Sequence, residues 1–211
     1  VRRHRPPAPP VPGAPMTAPQ AYIDRIAALD ACSDAVEWLR TAAHPDLPSA
    51  WAACQRGDWM LWLAARLGGP PWSDERKPLV LAACACAREA LLTFEARYPA
   101  DLRPRHALDT AEAWCRGAVS QDEVLVAQRA AAYADAAAYA DAAAYAAWAA
   151  VAAAAAYAAW AAADAAWAAA DAAAFAADAA DADADAATAR ARVLAQCADI
   201  VRQHLPCPVL P

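Results

Sequence analysis

Residues 130–150 read AAAYADAAAYADAAAYAAWAA, the opening of an alanine-rich tract that extends from Ala130 to Ala191. Alanine supplies 43 of the 62 residues of this tract, and neither glycine nor proline occurs between Gly117 and Pro206. Alanine has the highest helix propensity of all residues. Valine, isoleucine and threonine, which favour strands, are scarce in the whole chain. The sequence therefore predicts an all-α protein.

The length of the tract predicts that it turns back on itself. One unbroken helix over residues 121–204 would be about 125 Å long at 1.5 Å per residue. A compact domain of 211 residues has a radius of gyration of only about 17 Å. We therefore expect a compact multi-helix bundle in which the tract folds back on the rest, with turns near residues 151–156 or at Asp181, Asp183 and Asp185.

The second half of the tract has a seven-residue period that places aromatic and acidic residues on one side of a helix. The aromatic residues are Trp160, Trp167 and Phe175, and the acidic residues are Asp164, Asp171 and Asp178. In one interpretation the tryptophans anchor a core and the aspartates keep the helix soluble. In the other, the aspartates bind a basic protein partner, since an acidic surface steers such a partner toward it.

The net charge of −6 arises entirely in the C-terminal part of the chain. Residues 1–129 carry 15 basic and 15 acidic groups, whereas residues 130–211 carry 3 basic and 9 acidic groups. Basic residues do not dominate, so nucleic acid is not an expected partner. An acidic surface instead favours a basic protein.

Residues 142–163 carry no charge over 22 positions, which is long enough to cross a bilayer. Seventeen of these residues are alanine, which inserts far less readily than leucine, and the flanking residues are Asp141 and Asp164. We interpret the segment as a buried central helix and expect no membrane association. An odd count of seven cysteines without a signal peptide favours reduced thiols and a cytoplasmic protein.

Residues 1–20 contain seven prolines and three arginines at the front, a composition that cannot form a packed helix. We expect a disordered proline-rich arm here. Residues 1–15 are interpreted as sequence upstream of a natural initiator at Met16, and a genuine basic arm is the alternative. A single helical domain is predicted over residues 21–205, including the tract 130–191, followed by a tail over residues 206–211.

The part before the tract carries local signals that begin and end helices. Ser49 is predicted to N-cap a helix after Pro48, and Pro104 suits the first turn of another helix, which ends at Gly117. The stretch from Ser120 to Glu123 matches a capping box. These signals predict a succession of about seven helices.

No constellation of catalytic or cofactor-binding residues stands out. The chain lacks a glycine-rich phosphate loop, and Cys84 and Cys86 point to different sides of one helix. Cys197, His204 and Cys207 form the only conceivable metal set, and we favour no metal, since these ligands come from a chain terminus. We therefore expect neither a cofactor nor a metal, and no enzymatic activity.

Four segments are dense in distinctive residues. The first runs from Trp51 to Leu63, the second from Asp101 to Gly117 and the third from Gln196 to Arg202, and a fourth, from Leu81 to Arg88, carries Cys84 and Cys86. Their distinctive residues are Trp51, Asp58, Trp59, Trp62, Asp101, Arg103, Arg105, Asp109, Trp114 and Gly117. Together they resemble the bacterial immunity-protein families linked to polymorphic toxin systems, over roughly residues 46–208.

The resemblance implies a protein that binds a cognate toxin and neutralises it without a reaction of its own. It carries over no catalytic residue, and we expect the distinctive residues to be structural. The main alternative is a structural or scaffolding helical protein. An enzyme with a pocket of Arg, Asp and His side chains at 101–109 and an ice-binding helix are further alternatives, the latter weakened because Thr188 is the only threonine in the tract.

Arg103 and Arg105 flank Pro104 at a predicted helix start, where the helix dipole disfavours positive charge. An acidic residue must therefore compensate them, and Asp101, Asp109 or a carboxylate from another helix such as Glu89 could do so. A shared ion-pair network is one interpretation, and a pair of arginines that binds a partner is the other.

Overall fold

The computed structural model describes residues 18–138 and 186–211, and within these ranges the chain is helical with no β-strand. This confirms the predicted all-α class. The helices are α1 (Ala18–Ala28), α2 (Ser33–Ala42), α3 (Leu47–Ala53), α4 (Gly57–Leu67), a 3-10 turn (Asp74–Arg76), α5 (Lys77–Arg97), α6 (Arg103–Cys115), α7 (Gln121–Ala138) and α8 (Ala186–His204).

The chain divides into two compact units between Leu47 and Pro48. In the first unit α1 packs on α2 and buries Ile23, Ile26 and Leu39. The Tyr22 hydroxyl donates a hydrogen bond of 3.2 Å to the backbone oxygen of His44. The single domain predicted over residues 21–205 stays a prediction.

Helix α5 is the centre of the second unit, where it packs against α4, α6 and α8. One stripe of buried residues recurs every three or four positions along α5 and consists of Val80, Cys84, Ala87, Leu91 and Phe94. The first half of the helix is buried on further sides as well, at Leu79, Ala82, Ala83 and Cys86. Burying a side chain as large as Phe94 contributes about 1.5–3 kcal/mol, so this stripe is a main source of stability.

Helix α8 packs against both α4 and α5 through Val193, Cys197 and Val201. The contact with α4 requires glycine at position 57. A Cβ atom there would stand 2.5 Å from Cys197 Cβ and 2.7 Å from the backbone nitrogen of Ala198. Such separations are far below van der Waals contact, so only glycine allows this approach.

Three of the predicted local signals are confirmed. Ser120 and Glu123 form a reciprocal capping box, in which the backbone N–H of Ser120 donates to Glu123 Oε2 (2.7 Å) and that of Glu123 to Ser120 Oγ (3.3 Å). Pro104 occupies the first turn of α6. Gly117 adopts φ 74° and ends α6 through hydrogen bonds of residues 117 and 118 to the carbonyls of 114 and 113, the Schellman arrangement.

Two predicted boundaries are shifted. The prediction that Ser49 N-caps α3 is wrong, because α3 begins at Leu47 and contains Pro48 and Ser49 in its first turn. Proline fits there, since its missing N–H would find no partner within the helix. Helix α1 begins at Ala18, so the last three residues of the expected arm, 18–20, are helical.

Most of the alanine-rich tract, its predicted turns and the uncharged segment 142–163 lie outside the described residues, as do residues 1–17. Among the helices that are described, none is long and apolar enough to cross a membrane.

Candidate functional site

The first distinctive segment forms the break between α3 and α4. Trp51 and Trp62 are buried, in accordance with a structural role. Asp58 is buried in the first turn of α4 and accepts two hydrogen bonds from Arg56, at 2.9 and 2.6 Å. The Arg56 guanidinium also lies 4.1 Å from the ring centroid of Trp59, within range of a cation–π interaction.

The third distinctive segment contacts the first one directly. Arg202 of α8 donates hydrogen bonds to the backbone oxygens of Trp51 (3.2 Å) and Cys54 (2.8 Å). Its other terminal nitrogen contacts the Asp199 carboxylate at 2.6 Å. A cation at the end of α3 satisfies carbonyls that have no partner within that helix. Two segments about 150 residues apart in sequence are therefore joined by one side chain.

Arg103 and Arg105, in the second distinctive segment, belong to two separate ion pairs. Arg103 binds the Asp101 carboxylate through Nε (2.8 Å) and NH2 (2.5 Å). Arg105 on α6 binds Glu95 on α5, with Nε 2.6 Å from Oε1. The two arginine side chains are 41% and 43% exposed and have different partners, so they do not share one network. Asp101 was among the predicted partners, and Glu95 is a carboxylate from another helix, as predicted, although Glu89 was the residue named.

Asp109 pairs with an arginine for which sequence reasoning predicted no partner. Arg88 on α5 contacts Asp109 at 2.7 Å and Glu112 at 2.8 Å, both on α6. The hydrogen bond to Glu112 raises the pKa of Arg88 above its ordinary value. Arg88, Leu92 and Glu95 follow one stripe of α5, and Leu92 between the two pairs is exposed.

The carboxylates of Asp101 and Glu95 are held in their charged form. The hydrogen bonds from Arg103 lower the pKa of Asp101, and the hydrogen bonds from Arg105 lower the pKa of Glu95. A carboxylate that acts as a general acid or base at neutral pH needs a raised pKa instead. The pairs therefore supply fixed charges.

An open groove of about 680 Å³ lies at the connection between α5 and α6. It is lined by residues 98–103 and by His106, and its polar side chains include Asp101, Arg103 and His106. These three side chains are part of the Arg, Asp and His set considered above for an enzyme pocket. Asp101 and Arg103 are engaged with each other, as described.

A tight loop before α5 contains Trp72 in a strained conformation. The backbone N–H of Ser73 donates to the Pro70 oxygen (3.2 Å), which closes a β-turn with Trp72 at its third position and φ at 60°. Turns with positive φ at this position normally have glycine there. For a residue with a side chain such strain costs about 1–3 kcal/mol. The Trp72 ring meets Trp114 edge-on, with 5.2 Å between centroids.

A buried arginine and close packing of neighbouring side chains hold this loop in place. Arg76 is buried and donates a hydrogen bond of 2.7 Å to the backbone oxygen of Gly69. A Cβ atom on Gly69 would stand 2.6 Å from Ser73 Oγ and 2.8 Å from Glu75 Cβ, so the loop is folded closely on itself. Lys77 lies 5.5 Å from the Trp114 ring centroid and pairs with Asp74 at 2.6 Å.

The cysteines of the second unit are mostly core residues. Cys84, Cys86 and Cys197 are fully buried, and burial raises the pKa of the Cys84 thiol. Raised values leave thiols protonated and unreactive. In the parts of the chain that the structure describes, no group of three or more His, Cys, Asp or Glu side chains could hold a metal ion.

The predicted acidic row of Asp164, Asp171 and Asp178 lies outside the described residues. Sequence reasoning assigned no pairing role to Arg56, Arg88, Glu95 and Arg202, although all but Glu95 lie in the distinctive segments. Arg88 and Glu95 are seven residues apart and therefore lie on one side of α5. This spacing indicates that both could form ion pairs with the same neighbouring helix. The contacts of Arg202 with a distant helix end left no such local signal.

No protein-family model matches this chain, and neither a curated protein nor a solved structure is significantly similar to it.

Proposed function

We propose that this chain is an immunity-type protein that binds a cognate bacterial toxin stoichiometrically and blocks its active site, without catalysis. The proposal rests on one observation, that acidic side chains around α5 and α6 are held in their charged form by ion pairs. Asp101 and Glu95 are paired with arginines that lower their pKa values. Side chains that stay charged suit electrostatic contact with a protein surface better than proton transfer.

The contact between the first and third distinctive segments supports the same proposal. The resemblance to immunity proteins rests on segments at Trp51–Leu63, Asp101–Gly117 and Gln196–Arg202. Arg202 ties the last of these to the first through the carbonyls of Trp51 and Cys54. The resemblance therefore corresponds to a packed arrangement of helices as well as to short motifs.

The cognate toxin is expected to be basic and to approach the acidic C-terminal part of the chain. Replacing Asp164, Asp171 and Asp178 together with asparagine tests this, because the two residues have similar helix propensities. The replacement should slow association with the toxin and flatten its dependence on ionic strength. Identical rates for both proteins at every salt concentration would show that the row is only a solvated face.

The experiment that tests the function is growth rescue in a bacterial host. The polypeptide encoded directly upstream of this gene is induced alone and together with this chain. We expect growth arrest in the first case and normal growth in the second, and no rescue when an unrelated helical protein replaces this chain. Failure to rescue, with no binding between the purified proteins, would favour the scaffolding alternative.

A further inference from the structure

The loop from Gly68 to Glu75 has features that its role in the fold leaves unexplained. Two glycines stand in this loop, yet the position with φ at 60° is occupied by Trp72. Glycine would adopt that conformation without strain. A strained residue persists only where its surroundings enforce it, and such residues cluster at functional positions.

Hydrogen bonds within the fold also hold the backbone of the loop in this conformation in the free chain. Its backbone is held by the buried guanidinium of Arg76 at the Gly69 oxygen and by the turn hydrogen bond from Ser73 to Pro70. A loop that is already ordered loses little conformational entropy when it binds. Partly exposed tryptophans in such settings are frequent centres of binding energy in protein interfaces.

Two exposed carboxylates, Asp74 and Glu75, follow Trp72 in the chain. Asp74 is paired with Lys77. Within the described part of the chain, no ion pair to Glu75 is found. Its carboxylate lies above Gly69, with Oε2 3.3 Å from the place where a Cβ would stand. The loop therefore carries an aromatic ring at Trp72 and, three residues later, a carboxylate whose pKa is lowered by hydrogen bonds from its own backbone N–H and from Ser73, so that it stays charged.

The same chain shows which group fits such a combination. At the start of α4, Arg56 lies over the Trp59 ring at 4.1 Å and binds Asp58 with two hydrogen bonds. A guanidinium can stack on an aromatic ring while its N–H groups bind a carboxylate, which an ammonium group does less well. At Trp72 and Glu75 the ring and the carboxylate are present, and the arginine would be supplied by a partner protein.

We propose that the loop from Gly68 to Glu75 is a contact surface for an arginine-bearing segment of the toxin, with Trp72 supplying the ring and Glu75 the carboxylate. This inference rests on the proposed function. It adds the chemistry of the partner side chain and a binding position on the described part of the molecule.

The test is the affinity of the purified chain for the polypeptide encoded directly upstream, measured by titration calorimetry at two salt concentrations. Trp72→Gly removes the ring and keeps the backbone conformation, because glycine tolerates the positive φ. It should weaken binding about 30-fold or more, as expected for an interface tryptophan. Glu75→Gln should weaken binding about 5-fold and reduce the salt dependence.

Val126→Ala and Asp122→Asn are the matched controls. Both residues are exposed on α7, outside the loop in sequence, and the two changes remove one apolar side chain and one negative charge. They should leave the affinity unchanged. Thermal unfolding of each variant shows whether it is folded, and Glu75→Gln decides the outcome if Trp72→Gly does not fold.

Two results would overturn the inference, and they differ from each other. If the wild-type chain binds and both loop variants bind with the same affinity, the loop is not the contact surface, and the proposed function is unaffected. Absence of any binding by the wild-type chain would remove the proposed function, and this inference with it.

Discussion

The contact between α4 and α8 and the contact between α5 and α6 hold the second unit together in different ways. The first depends on shape, since Gly57 lies against Cys197 and Ala198 with no room for a further atom. The outer edge of the second depends on charge, through the pairs that Arg88 and Arg105 make with acidic residues. A close contact cannot adjust, whereas a partly exposed pair is replaced by water. Substitutions in the first contact should therefore cost more than substitutions in the second.

The largest effect is expected from Gly57→Ala. The added methyl group would stand 2.5 Å from Cys197 Cβ and 2.7 Å from two backbone atoms of α8, so the helices must separate. Overpacking of this kind costs about 3 kcal/mol of unfolding free energy, measurable by urea denaturation. Gly117→Ala is the control, because space at that position is open and only the positive φ is unfavourable, at about 1 kcal/mol. Equal losses for the two variants would contradict a contact governed by shape.

Arg202→Ala should have the next largest effect. It removes the donor for the carbonyls of Trp51 and Cys54 from a side chain that is only 23% exposed. Buried acceptors left without a partner destabilise the fold by about 2 kcal/mol. Asp199→Ala removes only the exposed partner of Arg202 and should cost less than about 0.5 kcal/mol. A neutral Arg202→Ala variant in urea denaturation would show that water replaces these hydrogen bonds.

Arg88→Ala tests the charged side of the comparison. Its partners Asp109 and Glu112 are exposed and half-buried respectively, so the loss should be about 1 kcal/mol. The loss should shrink in 1 M salt, since exposed charges are screened. Arg116→Ala, which removes an arginine four residues after Glu112 in the chain, should cost less than about 0.5 kcal/mol. A loss for Arg88→Ala that salt leaves unchanged would mean that packing of its aliphatic part dominates.

The smallest effect is expected from acidification. The folded-state pKa values of Glu95 and Asp101 lie below their ordinary values because of their hydrogen bonds with Arg105 and Arg103. A lowered folded pKa stabilises the fold above the unfolded pKa, and this stability is lost as the pH falls below about 4 through the folded value. The wild-type melting temperature should therefore fall more steeply there than that of Glu95→Gln. Parallel curves would show that the pair contributes nothing.

Local features of the fold could be predicted from the sequence, and contacts between distant helices could not. The capping box at Ser120 and the place of Pro104 depend on residues within one turn, so their patterns are sufficient. The Asp101–Arg103 pair was predictable for the same reason. Glu95 as the partner of Arg105, and Arg88 as the partner of Glu112, depend on how α5 is aligned against α6. That alignment is set by the packing of the buried stripe around Phe94. Packing between distant helices cannot be predicted from a short sequence pattern.

The function is tested most directly by titrating the activity of the upstream-encoded polypeptide with this chain. Stoichiometric binding predicts that residual toxin activity falls linearly, reaches zero at a fixed molar ratio and does not change with further incubation. Residual activity that continues to fall with time at one molecule of this chain per ten of the toxin would contradict the account, because it would require turnover.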